Sequence, residues 1–217
     1  MMFIKTILGM SVVAGLIAGA ATAETQATAW TDLNMRDGPG PMHSIVDVIP
    51  ANDTVMVQGC LTDASWCRVT HGETSGWAAG NYLATTIENA PVALASGDKR
   101  VVLKTVTYDN EQAATAGGLA TGAIAGALVA GPVGAVVGAI VGGAVGASVE
   151  PDPTVVTYVK SNPVDPIYLD GEVVVGAGIP DTVMLAPVPE STYEYAYING
   201  VLVLVETKDR KVVHIVR

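Results

Sequence analysis

The feature that most constrains this sequence is the stretch of residues 113–149, which has no charged side chain and repeats glycine at four-residue intervals. The repeat consists of Gly118, Gly122, Gly126, Gly134, Gly138, Gly142 and Gly146. Residues four apart lie on one ridge of a helix, so these glycines would form a flat groove for a second backbone. Ala130 breaks the series and is followed by Gly131 and Pro132. We therefore predict a glycine-zipper helical hairpin over residues 113–149.

Length and composition restrict how this hairpin can be placed. One continuous helix would be about 55 Å long, whereas two arms of about 27 Å and 24 Å come close to a hydrocarbon core of about 30 Å. Seven glycines cost a helix roughly 7 kcal/mol relative to alanine, and close packing must recover that loss. The spacing resembles the glycine-zipper segments of bacterial envelope proteins. Three arrangements are open: a hairpin inserted in a membrane, a hairpin buried in a homo-oligomer, and a flexible apolar linker.

The N-terminus has the pattern of a secretory signal peptide. Lys5 precedes an apolar run over residues 7–20, and Ala21 and Ala23 precede Glu24. This pattern predicts a signal peptide over residues 1–23, with an uncleaved anchor as the alternative. We expect an exported protein in the periplasm or on the periplasmic side of an envelope membrane. The formal net charge of −10 argues against nucleic-acid binding.

Residues 24–85 have the rhythm of a small all-β domain, with strands predicted at 45–49, 54–58, 65–70 and 75–79. Four ordered fragments resemble a bacterial SH3 domain. They are residues 33–40, 59–60, 65–69, and 76–78 with 81–83. Met35 stands where other members have valine. The resemblance implies a five-stranded or six-stranded β-barrel of a family often found in envelope proteins that contact peptidoglycan or partner proteins.

Cys60 and Cys67 are the only cysteines, and an even pair in an exported protein predicts a disulfide. A loop of this size would stabilise the domain by roughly 2 to 3 kcal/mol. A metal site would need more ligands at matching spacing, and the three histidines are isolated in the sequence. A catalytic thiol would need one cysteine to be free.

A ligand groove is a second hypothesis for this domain. Trp66 and Trp77 pack in the core or form the floor of a groove for a peptide or glycan. Asn34, Arg36 and Tyr82 would form its rim. The residues alone do not decide between the two roles.

The rest of the chain is predicted as a linker over residues 86–112, with one strand at 101–108, and a small antiparallel β domain over 150–217. Asn199 and Gly200 lie between two strand-like runs and predict a type I′ hairpin. Tyr193, Tyr195 and Tyr197 would share one strand face. The predicted strands are residues 154–160, 172–175, 182–185, 193–198, 201–206 and 211–216. Residues 162–168, 171–176 and the tyrosine-rich hairpin resemble a C-terminal domain of unknown function from exported alphaproteobacterial proteins.

The fold class predicted from the sequence is thus multidomain and mainly β. Catalytic carboxylate pairs, Ser/His/Asp arrangements and phosphate loops are lacking, so we expect neither an enzyme nor a cofactor or metal site. The leading hypothesis is an envelope protein that tethers or scaffolds through its SH3-like module and its hairpin, with peptidoglycan, an envelope protein, a membrane or a second copy as partner. The alternative is a soluble periplasmic accessory or stress module that binds peptidoglycan or a protein and oligomerises through the hairpin. A third hypothesis is an accessory protein for a cell-wall hydrolase that acts through its SH3-like groove.

Overall fold

The computed structural model describes residues 25–108, 123–128 and 150–217. These residues form two β-sheets and one α-helix. The predicted signal peptide lies outside the described residues, as does most of the predicted hairpin. The mainly β fold predicted from the sequence is confirmed.

The N-terminal sheet has eight strands in the order β3-β2-β6-β5-β4-β1-β7-β8, and neighbouring strands are antiparallel. The strands are β1 (Thr25–Ala29), β2 (Leu33–Arg36), β3 (Ile45–Ile49), β4 (Thr54–Cys60), β5 (Trp66–His71), β6 (Thr74–Ala79), β7 (Leu83–Ile87) and β8 (Ala90–Ala93). The four strands predicted from the sequence correspond to β3, β4, β5 and β6. Fully buried side chains from several strands, including Leu33, Ile49 and Val69, form the core.

Gly76 allows β2 and β6 to approach closely. A Cβ atom at this position would lie 2.7 Å from the Arg36 carbonyl oxygen and 2.7 Å from Met35 Cγ. Any larger residue would push β2 away from β6. The glycine therefore sets the position of Arg36, whose side chain is central to the site described below.

Residues 86–108, predicted as a linker, are packed on the first sheet over much of their length. Glu88 and Asn89 have φ values of 52° and 62° and form the turn between β7 and β8. A 3-10 turn follows at Leu94–Ser96. Residues 101–108 then run back in an extended conformation to the end of β4. The strand predicted there is wrong, because the pairing is limited to a single parallel bridge between Thr105 and Cys60.

The C-terminal sheet combines parallel and antiparallel pairs. Its strands are β9 (Ala123–Leu128), β10 (Pro166–Asp170), β11 (Ala186–Pro187), β12 (Tyr193–Ile198), β13 (Val201–Glu206) and β14 (Lys211–Val216). The prediction of an antiparallel domain holds for β12, β13 and β14, whereas β10 is parallel to both β12 and β9. Asn199 and Gly200 both have positive φ, at 53° and 82°, which confirms the predicted type I′ hairpin.

The strand predicted at residues 154–160 is wrong, because these residues belong to helix α1 (Pro153–Ser161). The Asp152 carboxylate accepts a hydrogen bond from the Thr154 backbone N–H at 2.8 Å, and Pro153 occupies the first turn. Val155 and Val159 lie four residues apart and pack against the C-terminal sheet. Capping and burial thus outweigh the strand preference of a β-branched run.

Three further predictions differ from the structure. Residues 172–175 and 182–185 are irregular segments rather than strands, and their valines, such as Val173 and Val183, are buried by tertiary contacts. Within the predicted helical hairpin, Ala123–Leu128 forms a strand that pairs with β10. Gly126 lies in that strand, and the other predicted helix-packing glycines lie outside the described residues.

The sheet formed by β12, β13 and β14 is covered on both faces. Helix α1 packs on the face that carries Tyr195 and Leu204. Ala196, Ile198 and Val203 on the other face join one continuous apolar core with the N-terminal sheet. Tyr197 is 38% exposed and lies at the margin of this arrangement. The two β domains therefore share a hydrophobic core in addition to the polar contacts described next.

Candidate functional site

Cys60 and Cys67 form the predicted disulfide. The two residues lie directly opposite each other in the β4–β5 pair, and both are buried. The bond closes the loop of residues 61–66 beside the extended segment 101–108. The bond therefore links the end of β4 to the start of β5, two neighbouring strands in the interior of the sheet.

Arg36 is the centre of a buried polar network between the two domains. Its side chain is 1% exposed, and its Nε and Nη2 donate to the two carboxylate oxygens of Glu172, with an Nη2–Oε1 distance of 2.8 Å. Nη2 also donates to the Asn199 carbonyl at 2.9 Å. Nη1 donates to the Pro41 and His43 carbonyls at 3.0 and 2.7 Å. All five guanidinium N–H groups are therefore used, as a buried arginine requires.

The Glu172 carboxylate accepts hydrogen bonds from further groups besides Arg36. Its Oε1 also accepts from Asn34 Nδ2 at 3.0 Å and from the Val173 backbone N–H at 3.0 Å. The Tyr82 hydroxyl donates to the Glu172 carbonyl at 3.3 Å. Burial, together with the nearby Glu172 charge, raises the pKa of Tyr82 to about 12, so this hydroxyl keeps its proton at neutral pH.

Asn199 links the hairpin turn to this network. Its side chain accepts from the Leu169 N–H at 2.8 Å and donates to the Leu169 and Gly171 carbonyls at 3.0 and 2.9 Å. The residue is fully buried. The Asn-Gly turn that the sequence predicts therefore also fixes β10 and the approach to Glu172.

The predicted groove residues do not lie together on an open surface. Asn34, Arg36 and Tyr82 lie at the contact with Glu172, and all three are buried. Sequence reasoning missed Glu172. The available signal was a single carboxylate at the head of the apolar run Val173–Val175, where burial of a charge requires a partner.

Trp66 and Trp77 are also buried, at 8% and 5% exposure. The Trp77 ring meets the edge of Tyr108 with centroids 5.6 Å apart, and Tyr108 meets His43 at the same separation. This aromatic row joins the loop after β2 to the extended segment 101–108. The row therefore forms part of the contact between the segment 101–108 and the N-terminal sheet.

His71 lies between two carboxylates on the surface of the first sheet. Its Nδ1 is 2.8 Å from Asp47 Oδ2, and its Nε2 is 3.2 Å from Asp53 Oδ2. Hydrogen bonds to Asp47 and then to Asp53 raise the pKa of His71 above its usual value. The ring thus connects β5 to β3 and to the turn that follows β3.

We expect this cluster to make stability depend weakly on pH. Because the folded-state pKa of His71 is raised, its contribution is complete below the unfolded pKa of about 6.5 and is lost as the pH rises through the folded value. Urea unfolding of the wild type and of His71→Asn between pH 5 and 9 measures the difference. The gap should be largest at pH 5 and shrink toward pH 9, and salt should reduce it because the carboxylates are partly exposed. A gap that widens with pH would contradict this assignment.

In residues 25–108 and 150–217, no group of three or more His, Cys, Asp or Glu side chains is arranged to hold a metal ion. Among the helices that the structure describes, none has the length and apolar character needed to cross a membrane.

Comparison with known proteins identifies both β domains. Residues 31–84 match the family described as bacterial SH3 domain, and residues 158–217 match the domain of unknown function DUF1236. The comparison with curated proteins found no match. Neither matched family is an enzymatic one. Both resemblances seen in the sequence are thereby confirmed: the chain contains a bacterial SH3 domain and a C-terminal DUF1236 domain, joined at the buried Arg36–Glu172 ion pair.

Proposed function

We propose that this protein is a non-enzymatic component of a bacterial cell envelope that binds extended peptide through its SH3 domain. The observation that carries the proposal is the bacterial SH3 domain at residues 31–84, a module that binds peptidoglycan or proteins. Exposed segments of envelope proteins offer extended backbone with unpaired N–H and C=O groups, which suits recognition by strand pairing. The short stem peptides of peptidoglycan offer amide N–H and C=O groups for backbone hydrogen bonds as well.

The DUF1236 domain would act as a rigid extension of the SH3 domain. The shared apolar core and the Arg36–Glu172 ion pair support this role, because separating the domains would expose both apolar surface and buried charge. A ligand bound to one domain would therefore be held in a fixed orientation relative to the other.

Tethering would depend on the N-terminal signal pattern and on the glycine-rich residues 113–149. Residues 1–23 would direct export, and residues 113–149 would anchor the protein in a membrane or join it to a second copy. In the alternative, the protein is a soluble periplasmic accessory module that self-associates through the same residues.

Cosedimentation with purified peptidoglycan sacculi tests the binding function. We expect saturable retention of the folded chain, and stem peptides released by an amidase should compete whereas the stripped glycan strands should not. A heat-unfolded, reduced sample is the control for non-specific adsorption. If sacculi retain the folded and unfolded chain equally, crosslinking in an envelope extract is the second arm. Failure to capture any envelope protein above the unfolded control would then refute the proposal.

An alkaline carbonate wash of membranes distinguishes the tethering modes. Retention of the protein in the pellet supports membrane insertion of residues 113–149. Release into the supernatant, together with a sedimentation mass above that of one chain, supports self-association instead. Release as a monomer would remove the tethering role from the proposal.

A further inference from the structure

The extended segment 101–108 lies on the SH3 domain as a bound peptide would. The Cys60 backbone N–H donates to the Lys104 carbonyl at 2.8 Å, and the Val106 N–H donates to the Cys60 carbonyl at 2.9 Å. These two bonds flank the single parallel bridge between Cys60 and Thr105. An added strand binds to a sheet through the same backbone pairing. β1 begins at Thr25, which pairs with Val57, so β1 does not pair with Cys60 and the segment takes that place.

The apolar side chains of the segment face the protein on both sides of its bridge to Cys60. Val101 and Leu103 before the bridge, and Val106 and Tyr108 after it, are partly buried against the apolar core. Val102 is 83% exposed, and the adjacent Lys104 and Thr105 are exposed as well. The inward residues thus present an apolar stripe that ends in an aromatic ring, and a ligand with apolar side chains at these four positions would make the same contacts.

The segment fills only part of the surface that it crosses. Two clefts, of about 580 Å³ and about 430 Å³, share Leu61, Thr62 and Asp63 in their walls. Val106 and Tyr108 line the first cleft, and Val101 and Leu103 line the second. With two backbone hydrogen bonds and open space beside it, the segment is held less firmly than the paired strands of the sheet.

Gly59 is the residue that allows this close approach. A Cβ atom at Gly59 would lie 2.6 Å from Val106 Cγ1 and 2.7 Å from the Lys104 carbonyl oxygen. No real side chain fits at those distances, so any strand that binds here needs glycine beneath it. A substitution at Gly59 would therefore block binding of a strand without changing the strand itself.

We propose that the surface formed by the end of β4, Gly59 and the loop of residues 61–65 is a binding site for an extended peptide, and that residues 101–108 occupy it as an intramolecular ligand. The peptide has apolar side chains at the positions of Leu103 and Val106 and an aromatic one at that of Tyr108. It enters only when the chain's own segment leaves. The inference rests on the proposed binding function of the SH3 domain and adds its site and its regulation.

The test measures binding of a fluorescent, capped peptide with the sequence of residues 101–108 to the full chain. Val106→Asp should weaken the internal segment and raise the apparent affinity for the peptide by about tenfold or more, because the apparent Kd scales inversely with the fraction of open sites. Val102→Asp is the matched control, since it makes the same change on the exposed side of the same segment. It should bind like the wild type.

Adding Gly59→Ala to Val106→Asp should abolish peptide binding, because the new Cβ occupies the space of the incoming strand. Amide hydrogen exchange at Cys60 supplies a readout without ligand, and it should accelerate in Val106→Asp but not in Val102→Asp. If Val106→Asp fails to fold, Tyr108→Ala takes its place, since it removes the contact with Trp77 at the end of the segment.

Equal peptide affinity in the wild type and in Val106→Asp would overturn the inference. Peptide binding that survives Gly59→Ala would do the same. The proposed binding function of the SH3 domain is tested separately, by retention of the folded chain on sacculi or by envelope proteins. The peptide site can therefore be refuted while the binding function stands.

Discussion

Replacing Glu172 by alanine is expected to destabilise the folded protein by about 3–5 kcal/mol, because it leaves the Arg36 guanidinium buried without a counter-charge. Three further hydrogen bonds of Arg36, to the Pro41, His43 and Asn199 carbonyls, hold the charge in place. The side chain therefore cannot turn out to solvent. The loss is a large fraction of the stability of a typical domain.

Urea unfolding followed by two signals measures this effect. All three tryptophans, Trp30, Trp66 and Trp77, lie in the SH3 domain, so their fluorescence reports that domain alone. Far-UV circular dichroism reports both domains. In the wild type the two transitions should coincide, because the domains share one core, whereas in Glu172→Ala they should shift to lower urea and separate.

Two controls identify the cause of the loss. Glu73 is an exposed glutamate in the β5–β6 turn, and Glu73→Ala should change stability by less than about 0.5 kcal/mol. In a double-mutant cycle, Arg36→Ala with Glu172→Ala should cost less than the sum of the single changes, by about 1–3 kcal/mol. Additive costs would mean that the ion pair does not couple the domains.

Removing the disulfide with Cys60→Ala and Cys67→Ala is expected to cost about 2.5 kcal/mol, because the unfolded chain regains the freedom of the closed loop. Thermal unfolding should show a lower midpoint for the double variant. Reduction of the wild type should reproduce most of that decrease, whereas reductant should have no effect on the variant. A variant as stable as the oxidised wild type would show that the bond contributes nothing to stability.

The same variant affects the segment 101–108, because Cys60 supplies both backbone hydrogen bonds that hold it. Loosening of the β4 end should therefore speed exchange of the backbone amide at position 60 more than that of Val69, which lies in the middle of the sheet.

Much of the SH3 domain and of the C-terminal hairpin could be predicted from the sequence, because their signals are local. Alternating residues and turn residues act on the backbone over a few positions, as Asn199 and Gly200 illustrate with their positive φ values. The Cys60–Cys67 disulfide could also be predicted from the sequence, since two cysteines allow only one intramolecular bond. The helix at Pro153–Ser161 had a local signal too, the cap formed by Asp152 and Pro153, but the β-branched run favoured a strand.

The candidate sites could not be predicted in the same way, because they depend on contacts between distant residues. Arg36 and Glu172 are separated by 136 positions. The apolar run after Glu172 hints that its charge is buried but does not identify its partner, and the predicted groove rim of Asn34, Arg36 and Tyr82 instead lies against the C-terminal domain. The position of segment 101–108 likewise depends on Gly59, which acts by the absence of a side chain.

The sequence by itself determined the two β domains, the disulfide and the type I′ hairpin, because each depends on nearest-neighbour backbone preferences or on residue identity. Only the tertiary structure decided that the SH3 domain contacts its own C-terminal domain through Arg36 and holds residues 101–108 at the end of β4. The physical reason is burial: a charge or an apolar stripe acquires its partner only when the chain brings distant segments together and excludes water between them.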